Sequence, residues 1–372
     1  FRNERNKNEM KVIFVRSPFK ILVDEATQVY TKCVIVIADA SAVIPAKTIT
    51  LEKQIPDVTN RDCWFNISPY IKDEIENIST SAVTPTDEDF NMWRKVTVTT
   101  YWKALLTDTW TLFEEQTFVA VNGYTNYQGG YNQFIEEDVV CLVNPNVNIK
   151  RADNDQYFNV LVDYNNGDGF DLVYRYRNLA NATIEDVIVF DATDPRLDVF
   201  MLKVPYRTVA SGLENGNSVQ VRLDTTGATP AQPFIYFLNE DVYLYTPVKC
   251  TYINSFGGWQ FITFFKARTD SYDVKSKGYN LLPDAVDYNP LRGQKKEFNF
   301  DMTQTVKLNT GWVDENTIEL LVDLLASETI LLDDEPVVLK DKSIQKKTRL
   351  KDKMINYEMN FEYAFNLIND VD

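Results

Sequence analysis

Val29-Tyr30-Thr31-Lys32-Cys33-Val34-Ile35-Val36-Ile37-Ala38, followed by Thr48-Ile49-Thr50-Leu51-Glu52-Lys53-Gln54-Ile55, decides the fold class of this chain. The first run is apolar and rich in β-branched residues, which suit a pleated surface better than a helix. The second alternates, with Ile49, Leu51, Lys53 and Ile55 on one side, the period of two of a half-buried strand. A buried strand beside an alternating one reads as a sheet.

Working outward, Met10 to Asp24 reads as two short strands broken at Ser17-Pro18, because proline cannot donate to a ladder. Cys63 to Ile67 is a further strand. A short helix follows Ser68, with Pro69 in its first turn and Tyr70, Ile71, Ile75 and Ile78 on one face. Strands are expected at Lys95–Trp102, Thr111–Asn122 and Val139–Val143. A second series covers Tyr157–Tyr164, Phe170–Arg177, Thr183–Phe190, Val199–Val204 and Ser218–Leu223, and Thr225 to Pro230 reads as a linker. The last region carries strands at Val242–Thr251, Trp259–Ala267 and Glu297–Leu308, and more near Ile330, Val337 and Met354–Phe361. One helix is expected near 314–326, capped by Asp314, with Ile318, Leu321, Val322 and Leu325 on its apolar face. The spacing predicts a mainly β chain: tandem β-sandwich domains at 10–145 and 146–230, then a C-terminal α+β domain at 231–372.

Composition narrows the chemistry. The 372 residues exceed one ordinary domain, and 44% hydrophobic content with 20 Tyr and 22 Phe can fill several β cores. The net charge of −16 argues against direct binding to nucleic acid or to an anionic membrane. No apolar stretch reaches membrane-spanning length, and the polar Phe1–Glu9 shows no signal peptide. The chain has no histidine, which excludes Ser-His-Asp and Cys-His catalysis, HExxH proteases and His-ligated zinc. No glycine fingerprint for a nucleotide is present among the 13 Gly. Cys33, Cys63, Cys141 and Cys250 sit in apolar strand contexts, fit no zinc spacing and are expected as buried, unbridged thiols. No catalytic residue, cofactor or metal site is therefore assigned. Three features compete for function. The Asp163–Asp171 loop offers oxygen ligands for calcium, but lacks the closing Glu of an EF-hand and reads first as a hairpin turn. The acidic clusters Glu136–Asp138 and Asp333–Glu335 read as solvated loop tips rather than a carboxylate pair. Tyr124, Tyr127 and Tyr131, in a loop with amides and glycines, suit glycan stacking, a protein interface or a loop packing its own aromatics.

Four strings together resemble virion structural proteins of tailed phages that infect Bacteroidetes, including crAss-like phages. They are Arg16-Ser17-Pro18-Phe19, Phe65-Asn66-Ile67-Ser68-Pro69-Tyr70-Ile71, Asn309-Thr310-Gly311-Trp312-Val313 and Ile355-Asn356-Tyr357-Glu358-Met359-Asn360-Phe361-Glu362-Tyr363-Ala364. The resemblance implies a tail, collar or baseplate component that is assembled in the host cytoplasm and binds copies of itself and other virion proteins. It carries over no catalytic residue. The alternative is a receptor- or glycan-binding β-protein of the tail-fibre type. For assembly, the expected interface joins the aromatic C-terminal run, with Tyr357, Phe361 and Tyr363, to the basic stretch Lys340–Lys353, with Lys346, Lys347 and Arg349. That stretch reads as a docking edge or a solvated hairpin.

Overall fold

The computed structural model describes residues 11–38, 46–55, 61–75, 92–136, 139–144, 148–152, 156–163, 170–177, 183–191, 197–204, 218–225, 233–239, 244–282, 291, 293–345 and 354–368. Across them the chain is mainly β, with several sheets.

The N-terminal region contains β1 (Lys11–Phe14), β2 (Lys20–Val23), β3 (Tyr30–Ala38), β4 (Lys47–Gln54), β5 (Cys63–Asn66), α1 (Ser68–Lys72), β6 (Trp93–Lys103), β7 (Thr111–Val121) and β8 (Phe134–Glu136). Its six-stranded sheet runs β4-β3-β6-β7-β1-β8. Strand β3 alternates as its sequence demands: Thr31, Cys33, Ile35 and Ile37 are buried, and their neighbours are half-buried. The break at Ser17-Pro18 sends β2 off the main sheet to pair with β5. The Ser68 hydroxyl holds that break, accepting from the Phe19 amide at 2.9 Å and donating to the Ser17 carbonyl at 2.7 Å. The β2–β5 pair and α1 then close over the inner face through Phe19, Ile21, Phe65 and Ile71. Ile71 and Ile75 face inward as the periodicity predicts, but Tyr70 points outward. Ile78 lies outside the described residues.

The middle region forms two sheets whose side chains meet in one core. They contain β9 (Val139–Cys141), β10 (Asn148–Arg151), β11 (Gln156–Asp163), β12 (Phe170–Arg177), β13 (Thr183–Asp191), β14 (Leu197–Val204), β15 (Ser218–Thr225) and β16 (Pro233–Asn239). One sheet runs β10-β16-β15-β12-β13 and the other β14-β11-β9. Phe158 and Val160 of β11 share a hydrophobic cluster with Tyr174 and Tyr176 of β12 and Val219 and Val221 of β15. Strand membership crosses both boundaries expected from sequence. β9 pairs with β11, and β16 pairs antiparallel with β15 and parallel with β10. A parallel partner is reached only through a crossover, so turn signals near 145 and 230 do not reveal it.

The C-terminal region contains β17 (Val248–Ile253), β18 (Trp259–Phe264), β19 (Thr269–Asn280), β20 (Lys295–Asn309), β21 (Val313–Asp314), α2 (Thr317–Ala326), β22 (Ile330–Leu332), β23 (Glu335–Leu339), β24 (Met354–Ile355) and β25 (Glu358–Tyr363). One seven-stranded sheet runs β18-β17-β22-β23-β25-β20-β19. Helix α2 packs on it through Ile318, Leu320, Leu321 and Leu324, and the Tyr252 hydroxyl donates to the Leu320 carbonyl at 2.7 Å. Asp314 does not cap this helix. It pairs with Met354 in the β21–β24 ladder, so the helix starts later, with Asn316 at its N-cap. The buried face is correspondingly rotated, leaving Val322 47% exposed. Asp333 and Asp334, with φ of 47° and 72°, form the two-residue turn between β22 and β23, where both positive φ values match a type I′ hairpin.

The three regions meet at the β17–β18 turn, Asn254-Ser255-Phe256-Gly257-Gly258-Trp259. The fully buried Asn254 accepts at Oδ1 from the Phe256 and Gly258 amides, both at 3.0 Å, and donates from Nδ2 to the Leu142 carbonyl at 2.8 Å. The Trp259 amide donates to Asn159 Oδ1 of β11 at 2.8 Å, and the Ser255 carbonyl accepts from the Tyr124 amide at 2.7 Å. Gly257, at φ +83°, and Gly258 allow this close approach. A Cβ on Gly258 would lie 2.2 Å from the Leu142 carbonyl oxygen. Gly258→Ala is therefore expected to destabilise the fold by about 1–3 kcal/mol, as overpacking does. Gly278→Ala on β19, where the nearest atom would be 3.7 Å away, should change stability little. Urea unfolding of the two variants checks the contrast.

Candidate functional site

Helix α2 meets the N-terminal region beside that turn. Arg16, just beyond β1, donates from Nη2 to the Ala326 carbonyl at 2.8 Å and so satisfies a carbonyl in the last turn of α2. Its guanidinium stacks on the Tyr124 ring, 4.9 Å from the centroid. Glu328, just beyond the helix, pairs with Lys72 at 2.9 Å and lies 3.6 Å from Arg16. The hydrogen bond from Lys72 is the largest influence holding the Glu328 carboxyl below its ordinary value.

Beside this joint lies a groove of about 670 Å³. Phe14, Phe134 and Phe256 supply aromatic wall, and Tyr124, Asn126, Gln133 and Asn144 supply polar groups. One side is α2, which presents Glu319 and, one turn on, Asp323. Asp323 is buried; it accepts from the Ser255 hydroxyl at 3.0 Å and the Tyr124 hydroxyl at 3.2 Å. Burial raises its pKa above the ordinary carboxylate value, against the lowering effect of those bonds. Burial, then the neighbouring Asp323 charge, pushes Tyr124 up to about 12, so Tyr124 stays a donor. Glu319 is exposed. The sequence reading missed both acids, because α2 was read for its apolar stripe. Their i, i+4 spacing was the available signal.

The three tyrosines of the 124–131 loop diverge. Tyr124 turns in toward Asp323, Tyr127 is 99% exposed, and Tyr131 packs edge-on against Trp64 at 5.7 Å with Lys20 over its ring. The C-terminal aromatics go elsewhere. Tyr357, Phe361 and Tyr363 are buried in the chain's own core, where β25 pairs with β20 and β23. The exposed part of that run is Phe365, Leu367 and Ile368. Lys346, Lys347 and Arg349 lie outside the described residues, as does most of the Asp163–Asp171 loop. Among the described residues no cluster of metal-binding side chains occurs, and no helix is long and apolar enough to cross a membrane. The four cysteines are buried and unbridged, and burial pushes the Cys33 thiol up to about 12, far from a reactive thiolate.

A second surface was also missed from sequence. Strand β19 is exposed along its whole length and, among the described residues, pairs only with β20. β25 covers β20 from Thr305 to Asn309, and the Leu367 amide reaches the Met302 carbonyl at 3.0 Å. Beyond that point β19 and β20 continue as a two-stranded ribbon with no further strand beside it among the described residues, about 25 Å long at the usual strand rise. Val274, Tyr279, Phe298 and Phe300 are exposed on it. A bulge bends it, with Asn299 at φ 55°.

No protein-family model and no curated protein matches the chain. Two solved structures that it resembles are the calcium-binding domain CBD12 of CALX1.1, at 9% identity, and squid arrestin, at 10%. The first comparison covers 57% of this chain and 74% of that one, the second 64% and 94%, each with a TM-score of 0.17. A likeness that low carries no argument about this chain's function.

A raised carboxyl pKa in the fold means that folding favours the protonated form. Asp323 thus contributes most below the ordinary carboxylate value and loses that contribution as pH rises toward its higher folded value. Asp323→Asn removes the titration. The stability of the wild type relative to Asp323→Asn should fall as pH rises above the ordinary carboxylate value, read as paired urea midpoints.

Proposed function

We propose that this chain is a non-enzymatic structural protein of a tailed-phage virion, in the tail, collar or baseplate. It would be built from tandem β-sandwiches and a C-terminal α+β domain, and would assemble with copies of itself and neighbouring virion proteins. The observation that carries the assembly reading is the β19–β20 ribbon. A lone two-stranded ribbon is marginal in water, and a long exposed edge with apolar side chains invites pairing. Such an element is best accounted for by a partner that covers it. The turn that locks the three regions together fits a component that transmits load. Asp323, the buried acid of the groove, already accepts hydroxyl hydrogen bonds from Tyr124 and Ser255, which favours a structural role over acid–base chemistry.

The expected partners are proteins, with no direct contact to nucleic acid or membrane. Replacing 273–301 by a short glycine-rich turn should leave the melting temperature within a few degrees of wild type and abolish assembly. Mass photometry, of the chain alone and with candidate virion proteins, checks this. Full assembly by the trimmed chain would contradict it.

The exposed Tyr127, with Tyr131 and Trp64, favours a second reading as a receptor- or glycan-binding protein. Stacking on these rings predicts a glycan-array signal that Tyr127→Ala and Trp64→Ala lower at least tenfold. An array on which the wild type binds nothing would remove this reading.

A further inference from the structure

Strand β19 is an edge of the seven-stranded sheet, and the ladder beside it shows which way its backbone groups point. Met302 of β20 stands opposite Val274, and its carbonyl accepts from the Leu367 amide on the far side. The backbone groups of Met302 therefore point away from β19. Opposed residues of an antiparallel ladder exchange both hydrogen bonds or neither. The N–H and C=O of Val274 thus also point away, to the open edge, and by alternation those of Asp270, Tyr272, Ser276 and Gly278 do too. Natural edges are commonly guarded by proline, bulges or lysines. β19 has no proline and runs unbroken over Thr269–Asn280. The extra residue of the bulge lies on β20: Asn299 and Phe300 stand against Ser276 alone. Lys275 and Lys277 are guards only in part, because Asp270 and Asp273 balance them and leave the strand without net charge.

We infer that β19 pairs antiparallel with β19 of a second copy of this chain, about a two-fold axis at Val274, joining the two sheets edge to edge. The charge pattern selects both the partner and the register. A two-fold axis normal to the sheet keeps each side chain on its own face, so the axis must pass through a residue position. Centred on Asp273 or Lys275, like charges meet at the axis, and centred on Ser276, Lys275 meets Lys277. Centred on Tyr272, no charges are paired. Centred on Val274, Asp273 faces Lys275 of the second copy and Lys275 faces its Asp273. Those are the close, non-hydrogen-bonded positions, where opposite charges stabilise a sheet. Lys340, which also interacts with Asp273, is held by Glu362 at 2.8 Å, so the Asp273 carboxylate can take a second cation. On the other face Val274 meets its own copy, with Tyr272 diagonal to it; both are 55% exposed in the single chain. One register therefore covers the open backbone groups and the exposed apolar side chains together. The contact is isologous and closes at two copies. The inference rests on the assembly reading and names the partner and register of the ribbon.

The test is sedimentation velocity of the full chain over a concentration series, with melting temperatures to confirm folding. Asp273→Lys and Lys275→Asp, each alone, set like charges opposite each other and should weaken self-association about tenfold or more. The double change Asp273→Lys/Lys275→Asp makes the facing charges opposite again and should restore it. Mixed one to one, the two single variants should form a dimer with one of each. Val274→Pro removes an N–H that faces the open edge, where proline is tolerated. It should leave the melting temperature within a few degrees of wild type and abolish the dimer. The charge exchange does not depend on that tolerance: a double variant that fails to recover overturns the inference by itself. Self-association that survives Val274→Pro and both single charge changes overturns β19 as the contact. The assembly reading then stands if replacing 273–301 still abolishes assembly. A wild type that stays monomeric at every concentration overturns the second copy as partner, and one that also ignores candidate virion proteins contradicts both.

Discussion

The fold depends on one buried amide. Asn254 uses its side-chain oxygen to hold the backbone of its own turn and its side-chain nitrogen to reach Leu142. The turn so fixed brings Ser255 to Tyr124 and Trp259 to Asn159. The bonds to Leu142, Asn159 and Tyr124 cross from the C-terminal sheet to another region. A buried polar group without a partner costs about 1–3 kcal/mol, so no one of these contacts can be released alone without penalty. The glycines at 257 and 258 leave room for backbone where any side chain would collide.

The location of the groove follows from this constraint. Ser255, one residue along the turn, fixes one oxygen of Asp323, and Tyr124, held by the Ser255 carbonyl, fixes the other. Arg16 anchors the last carbonyl-bearing turn of the same helix, at Ala326. The C-terminal half of α2 is thus set against the N-terminal sheet, and the groove lies beside it. The β19–β20 ribbon leaves the sheet beyond Met302, where, among the described residues, neither β25 nor Phe365–Ile368 follows it. A fixed body with one projecting element is what a contact between subunits requires.

Many of the strands were legible in sequence, because β3, β4, β6, β7 and β12 carry strong alternation or apolar runs bounded by turn residues. What was not legible was non-local. The parallel pairing of β10 with β16 joins strands across the turn residues near 230, which carry no sign of it. Asp314 has the chemistry of a helix cap, but a partner forty residues later drew it into a ladder. Tyr357, Phe361 and Tyr363 read as an apolar run too large for one small domain to cover, but β20, β23 and the core beneath cover them. β19 went unread because its polar alternation resembles a loop. The acids of the groove were hidden on a helix whose apolar side was the stronger signal.

The central claim is that the Asn254 turn joins the described sheets into one cooperative body from which the ribbon is excluded. Hydrogen exchange of the wild-type chain, followed peptide by peptide, tests it most directly. The amides of the turn, of the end of β7 and of β11 should exchange together at the slowest rates in the molecule. Those of 275–281 and 294–300 should exchange early in the monomer and slow only on self-association. Separate, faster exchange of the turn than of the sheets it joins would contradict the account.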